Sequence, residues 1–379
     1  MLKEISLKEL EDLLEDFYQE RVPLYLWGKP STGKTSMIRQ FAQRKAEELG
    51  LKYSEDEFGE DIFTLKVIPL SQFEGPDLRG IPHIKNDRYT EFIPSAELPR
   101  EGQGIIFFDE LNMADDMTRA ACYQYILEGR YSNLKPVLDE NGKHKFWRVA
   151  ASNTEKDFCS VNNTSLALLR RFCHFEVMPN LEEILEYFLE HDLDNRVIAY
   201  LEKNPDDLFP VNFDEKLLEN KANPFPYTWE VAARLIKKYD MKVKKDKEKI
   251  RNLVASGVGS ELATKFVAFC ELIKKIDIES LVKALKNKQT LNKKLKEFAE
   301  LGDAVSHYIY LSNYVANLWF KADKRVTAAD IVNLLNTYVD LGFPELAVQL
   351  ARKVIRKRSK RFETLKDWEK LCQQLSIYL

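Results

Sequence analysis

Long apolar runs are missing from this chain. The longest candidates are short segments such as Ile105 to Phe108, far below the roughly 20 residues a membrane helix needs, so no spanning segment is expected. Cysteine is scarce. The five, Cys122, Cys159, Cys173, Cys270 and Cys372, form no C-x-x-C pair and sit apart from any histidine pattern, which argues against zinc and against a disulfide framework and favours a reducing compartment. The five histidines show no H-x3-H or H-E-x-x-H spacing, so no metal site is expected from them. The N-terminal stretch carries four acids by residue 12 and no uninterrupted apolar core, unlike a signal peptide, and the expected location is cytoplasmic.

What is present is a globular balance: 45% hydrophobic and 31% charged residues over 379 positions. At about 150 residues per domain, that length suggests two or three domains. Residues 1–180 hold 23 Lys+Arg against 30 Asp+Glu, and the remainder 34 against 30. The net charge of −3 gives the whole chain no strong attraction for nucleic acid.

Ser6 and Glu9 form an S-x-x-E capping box, with Ile5 and Leu10 at staple positions, so a helix is expected to start there. Val22 to Trp27 is a short apolar run that stops at Gly28 and reads as a buried strand, and Lys34 to Leu49 reads as a helix ended by Gly50. The runs Ile62 to Leu70, Gly104 to Phe108, Phe146 to Ala151 and Phe172 to Met178 add four strands. Strands alternating with helices predict a parallel sheet covered on both faces, an α/β domain ending near Pro179. Beyond residue 180 the periodicity is helical, with a further boundary expected in the lysine-dense stretch from Ile276 to Ala299.

Gly28-Lys29-Pro30-Ser31-Thr32-Gly33-Lys34-Thr35 matches G-x-x-x-x-G-K-[ST], the phosphate-binding loop, and lies between a predicted strand and a predicted helix, as its chemistry requires. The glycines let backbone N–H groups curl around a polyphosphate, Lys34 can reach the β- and γ-phosphates, and Thr35 can offer its hydroxyl to Mg2+. Ser36 completes the set of candidate nucleotide-binding residues. Downstream, Ile105-Ile106-Phe107-Phe108 runs into Asp109 and Glu110, placing two carboxylates at the C-terminal edge of the sheet, where ligands bind in such folds. Asp109 is the candidate Mg2+ residue, with Thr35, and Glu110 the candidate that orients and polarises the attacking water. Asn153 ends another apolar run and is a candidate to bond the γ-phosphate or that water.

The order phosphate loop, Phe107-Phe108-Asp109-Glu110, Ala151-Ser152-Asn153 and Leu168-Leu169-Arg170-Arg171-Phe172 resembles an AAA+ ATPase, specifically the MoxR branch. Asp77-Leu78-Arg79-Gly80-Ile81-Pro82, Pro94-Ser95-Ala96-Glu97-Leu98-Pro99, Leu127-Glu128-Gly129-Arg130 and Asn223-Pro224-Phe225-Pro226-Tyr227-Thr228-Trp229-Glu230 are similar to further stretches of that branch. The resemblance covers roughly residues 20 to 275. It implies an AAA+ parallel sheet flanked by helices over 1–180 and a helical lid over 181–275, and the helical periodicity beyond it gives a helical C-terminal region over 276–379. It also implies ATP and Mg2+ at the subunit interfaces of a ring, a hexamer, with Arg171 as the finger reaching the neighbour's γ-phosphate and Arg170 as second candidate. Relatives commonly remodel or activate a protein client together with a von Willebrand factor A-type protein. No D-x-S-x-S motif occurs in this chain, so such a partner would be a separate chain. One departure is Tyr227, where the branch usually carries an arginine; a phenol donates one hydrogen bond and no charge.

Two hairpins are expected, Ile81 to Phe92 around Asn86-Asp87 and Leu134 to Val149 around Asn141-Gly142. Arg352 to Arg361 holds seven Lys/Arg in ten residues with no acid, read as a solvated helix face or a contact for nucleic acid, an acidic protein or another subunit. Two alternatives to a protein-remodelling ATPase therefore stay open: a nucleic-acid motor or loader, from the basic run, and a weakly hydrolysing nucleotide-controlled scaffold, from Tyr227.

Overall fold

Ser6 follows a short strand and caps a helix in the computed structural model, which describes residues 2–373 apart from 87, 132, 155–168, 211–220, 300–302, 359–360, 363–364, 366–367 and 369–370. The Ser6 hydroxyl accepts the Glu9 N–H at 3.2 Å and the Glu9 carboxylate accepts the Ser6 N–H at 2.8 Å, so both ends of the capping box close as expected. The chain divides into two compact units, 1–180 and 181–379.

In the first unit, β1 (Lys3–Ile5), α1 (Leu7–Glu20), β2 (Leu24–Trp27), α2 (Lys34–Leu49), β3 (Lys52–Ser54), β4 (Ile62–Pro69) and α3 (Gly75–Arg79) precede a two-stranded antiparallel ribbon, β5 (Ile81–Lys85) and β6 (Tyr89–Ile93). Then follow β7 (Gln103–Asp109), α4 (Asp116–Glu128), β8 (Phe146–Ser152) and β9 (Cys173–Val177). The main sheet is wholly parallel, in the order β1-β9-β2-β8-β7-β4-β3. The five strands expected from sequence are its five central ones. The two edge strands, β1 and β3, were not expected, because three residues containing Lys3 and Glu4 or Lys52 give no apolar run to read.

Both faces of the sheet are covered, which is why β8 is buried at every position and β7 from Gly104 to Phe108. Within these runs the two-residue period still sorts side chains. Leu24, Leu26, Ile105, Phe107, Val149 and Ala151 join the apolar layer that contains Leu10, Leu14, Ile38 and Phe41 of α1 and α2. Tyr25, Ile106, Phe108 and Ala150 join the layer that contains Ala121, Tyr125 and Ile126 of α4. Gly104 is required where β7 meets β4, since a Cβ there would collide with the Thr64 carbonyl oxygen.

The first expected hairpin is the β5–β6 ribbon. The second shrinks to a single Leu138–His144 bridge closed by a turn in which the Asp139 carboxylate accepts the Asn141 and Lys143 N–H groups. The residues from Phe146 onward pair instead with β7 and β2, where each apolar side chain becomes fully buried.

The second unit is helical: α5 (Leu181–Glu190), α6 (Asn195–Lys203), α7 (Pro226–Ile236), α8 (Lys244–Val258), α9 (Ser260–Ile273), α10 (Ile278–Ala284), α11 (Lys288–Ala299), α12 (Ala304–Phe320), α13 (Ala328–Asp340) and α14 (Pro344–Arg358). Residues 181–275 and 276–379 contribute to one apolar cluster, with Trp229 and Phe266 from the former and Tyr308, Trp319 and Tyr338 from the latter. No helix among the described residues is long and apolar enough to cross a membrane.

Candidate functional site

β2 delivers the chain into a loop that only glycine can open. A Cβ at Gly28 would lie 2.6 Å from the carbonyl oxygen of Val177, the last residue of β9. Ser31 and Gly33 then take left-handed conformations, φ +61° and +88°, which curl the loop back toward α2. Gly33 is the N-cap of α2 and offers no side-chain oxygen to its first turn, so those amides carry no side-chain cap and suit an anion. The Lys34 ammonium, on a residue only 7% exposed, donates to the carbonyl oxygens of Gly28 at 2.8 Å and Lys29 at 2.9 Å. Lys29 and Pro30 are half-buried, Thr32 is buried against the Lys29 carbonyl at 2.9 Å, and Ser36 is exposed in the first turn of α2.

The Thr35 hydroxyl donates to Asp109 Oδ2 at 3.0 Å, joining the loop to the end of β7. Burial raises the Asp109 pKa, with the neighbouring Glu110 charge acting in the same direction; the Thr35 hydroxyl and the Glu110 N–H at 3.0 Å oppose this. A half-buried hydroxyl and carboxylate in contact are a donor set suited to Mg2+, which is commonly held by one or two carboxylates plus phosphate oxygens. Among the described residues no group of three or more His, Cys, Asp or Glu forms an all-protein metal cage. Glu110 sits at φ +56°, a left-handed conformation uncommon for a residue with a side chain, and its carboxylate accepts the Ser71 hydroxyl beyond the end of β4.

Because β8 lies between β2 and β7, Asn153 emerges between the phosphate loop and Asp109. A buried polar chain ties these strand ends together. The Tyr25 hydroxyl and Ser152 Oγ are 2.7 Å apart, Ser152 Oγ accepts the Asn112 N–H at 3.1 Å, and Asn112 Nδ2 donates to the Asn153 carbonyl at 3.0 Å. Asn112 is fully buried, yet its Oδ1 has no hydrogen-bond partner among the described residues. Sequence reasoning missed the roles of Ser71, Asn112 and Ser152. Their only signal is a hydroxyl or amide beside the C-terminal end of an apolar run.

The structure thus brings Lys34, Thr35, Asp109, Glu110 and Asn153 to one edge of the sheet, and it does not bring Arg170 and Arg171 there. These two precede β9, which runs parallel to β2, so they stand at the opposite, N-terminal edge. A five-residue strand at about 3.3 Å per residue separates the two edges by roughly 16 Å. Arg170 is exposed; the Arg171 guanidinium is half-buried, 4.1 Å from the centre of the Tyr123 ring. Leu168, part of the same motif, lies outside the described residues.

In the helical unit, Tyr227 follows Pro226 in the first turn of α7 and is 60% exposed, while Trp229 is fully buried and donates its indole N–H to the Asp207 carbonyl at 2.9 Å. Arg234 is paired with Glu230 one turn before it. The basic run at the C-terminus is not simply a solvated face. Lys353 points inward, 2.6 Å from Glu202 and 3.0 Å from Asn313 Oδ1, and Arg352 lies 3.4 Å from Glu182.

The sheet order, the loop and the acids define this unit as an α/β P-loop fold. No family model and no curated protein matches the chain. Solved structures with similarity include NtrX from Brucella abortus, at 10% identity over 92% of this chain and 67% of that one, with a TM-score of 0.37. The ORC2 protein of Aeropyrum pernix in its ADPNP–ADP complexes matches at 11% identity over 93% and 94%, TM-score 0.37. A candidate ATPase from Cytophaga hutchinsonii matches at 13% identity over 93% and 90%, TM-score 0.34. The fold assignment rests on the strand order and the loop rather than on similarity at this level.

Proposed function

We propose that this chain is a Mg2+-dependent ATPase of the AAA+ type, similar to the MoxR branch, that works as a ring and uses ATP hydrolysis to remodel or activate a protein partner. The observation that carries the reading is the 3.0 Å hydrogen bond from Thr35 to Asp109, which joins the phosphate loop to the acidic strand end at the place where a metal–triphosphate complex needs both. The first-turn amides of α2 and the Lys34 ammonium bind phosphate oxygens, Lys34 exchanging its present carbonyl partners for them. Thr35 and Asp109 hold Mg2+, which when bound neutralises charge on the β- and γ-phosphates. Glu110 orients the attacking water and accepts its proton, and Asn153 hydrogen-bonds the γ-phosphate or that water.

The arginines act in trans. Their place at the far edge of the sheet supports delivery of Arg171, or Arg170, to a neighbour's nucleotide and makes hydrolysis depend on assembly. The ring is proposed to be a hexamer, with a separate von Willebrand factor A-type protein as adaptor. The exposed ribbon β5–β6, on which Ile81, Ile84, Tyr89 and Ile93 are all more than half exposed, is a candidate surface for moving a client.

The test is steady-state ATP hydrolysis with nucleotide binding measured in parallel. Lys34→Ala is expected to lose nucleotide binding. Glu110→Gln is expected to bind ATP normally and turn over about 100- to 10,000-fold more slowly. Equal nucleotide affinity in the two variants would contradict the assigned roles, and wild-type turnover no better than that of Glu110→Gln would favour a nucleotide-controlled scaffold.

A further inference from the structure

We propose that His174 is a positioning residue that fastens the arginine-bearing turn to the strand feeding the phosphate loop, and so sets where Arg171 stands for a neighbouring subunit; this rests on the trans-acting reading of Arg170 and Arg171. His174 is the second residue of β9 and lies opposite Tyr25 of β2. Both of its ring nitrogens are in use. An indole N–H can only donate, so the 3.0 Å contact from Trp27 Nε1 makes His174 Nδ1 the acceptor. A carbonyl can only accept, so the 2.7 Å contact to Leu169 makes Nε2 the donor. The two bonds together place the ring hydrogen on Nε2.

The two partners of His174 are adjacent in sequence to the two groups that matter. Trp27 is bonded directly to Gly28, the first residue of the phosphate loop, and Leu169 directly to Arg170. The imidazole therefore bridges the ends of two neighbouring strands that carry opposite halves of a composite site. Its orientation is fixed by aromatic neighbours: Tyr25 at 5.4 Å between ring centres, Trp27 at 6.3 Å and nearly parallel, and Phe172 at 6.2 Å edge-on. Tyr25 itself stacks on Trp27 at 4.3 Å and reaches Ser152 with its hydroxyl. A residue present only to fill this stack would need no nitrogens, and phenylalanine would serve. A half-buried imidazole whose two nitrogens meet one donor and one acceptor is instead a two-ended connector.

His174→Phe keeps the ring and removes both bonds. In the full-length assembled protein it is expected to lower kcat at saturating ATP about 10- to 100-fold, the effect of misplacing a group by around 1 Å, while nucleotide affinity and the thermal midpoint stay close to wild type. Trp27→Phe, which removes one bond and keeps the stack, is expected to show a smaller loss of the same kind and carries the test if His174→Phe folds poorly. The decisive measurement mixes His174→Phe subunits with an excess of Lys34→Ala subunits, which bind no nucleotide but present an intact arginine turn. Restored turnover per His174→Phe subunit supports the proposal, because the defect is then one of donation to the neighbour. An unchanged kcat, or a loss that Lys34→Ala subunits do not restore, overturns it. A double Arg170→Ala, Arg171→Ala variant separates the two levels. If it turns over like wild type, the trans-acting reading falls and this proposal with it; if it is inactive while both His174→Phe and Trp27→Phe are active, this proposal alone falls.

Discussion

In the α/β unit Lys34, Asn112 and Ser152 are polar side chains buried at one edge of the sheet, whereas in the helical unit Lys353, Asn313 and Tyr338 make polar contacts from one helix to another. At the sheet edge, Thr35 meets Asp109, Tyr25 meets Ser152, Ser152 meets Asn112, and the sequence of contacts ends on Asn112 Oδ1, a buried acceptor with no partner among the described residues. Two residues with side chains, Ser31 and Glu110, are held there at positive φ. In the helical unit, Lys353 of α14 reaches Glu202 of α6 and Asn313 of α12, the Tyr338 hydroxyl donates to the Tyr308 carbonyl at 3.0 Å, and the Trp319 indole donates to the Val354 carbonyl at 3.0 Å. Polar atoms spent on each other hold helices in place. Polar side chains gathered at a strand edge, beside Ser31 and Glu110 at positive φ, stand where a ligand can meet them.

That contrast predicts different consequences of mutation in the two units. Beyond the Lys34 and Glu110 variants, the largest effect should come from Arg171→Ala, which leaves the folded subunit intact and lowers ATP turnover of the assembled protein about 1000-fold; an equal loss in dilute, unassembled subunits would break the assignment to a neighbour's site. Next, Lys353→Ala leaves Glu202 buried without its cation and should cost the helical unit about 3 kcal/mol of stability, read by urea denaturation, with nucleotide affinity of the folded protein unchanged. A fall in affinity as large as the fall in stability would show that the C-terminal helix serves the site as well as the core.

A smaller, pH-dependent effect belongs to His144. Burial, aided by the Arg148 charge, lowers its pKa below the ordinary histidine value. The unfolded chain therefore binds a proton that the folded chain resists, and the stabilisation present above about pH 6.5 is lost as the pH falls toward the depressed folded value. His144→Gln should flatten the decline in urea midpoint between pH 7 and pH 5.5, and an unchanged slope would place the acid-sensitive group elsewhere. The smallest effect is expected at Tyr227, 60% exposed in the first turn of α7: Tyr227→Ala should change stability by no more than about 0.5 kcal/mol. Any marked change in turnover with that variant would sharpen the comparison by giving the helical unit a direct part in the chemistry.

Much of the site could be read from residues close together in the chain. The loop from Gly28 to Thr35, the Ser6–Glu9 cap and the apolar run ending in Asp109 and Glu110 depend on interactions spanning a few positions, and each took the expected local form. The connectors could not be read in this way. Ser152 and Asn112 are 40 residues apart, and Trp27 and His174 are 147 apart; in a linear pattern they are a serine, an asparagine, a tryptophan and a histidine with no shared period. The inward turn of Lys353 was hidden for the same reason. It lies three residues after buried Leu350, beside the apolar stripe of α14, and only the position of Glu202 on another helix makes it an interior residue.

By itself, then, the sequence determined the phosphate loop, the acidic strand end, the helix starts and the strand runs, because steric limits on backbone angles and the alternation of apolar residues act over short stretches of chain. Tertiary structure decided which strands became neighbours. Placing β8 between β2 and β7 set Asn153 between the phosphate loop and Asp109, and laying β9 parallel to β2 sent the arginines to the far edge. Those outcomes depend on burying the two faces of one sheet at once, a condition no local segment can satisfy alone.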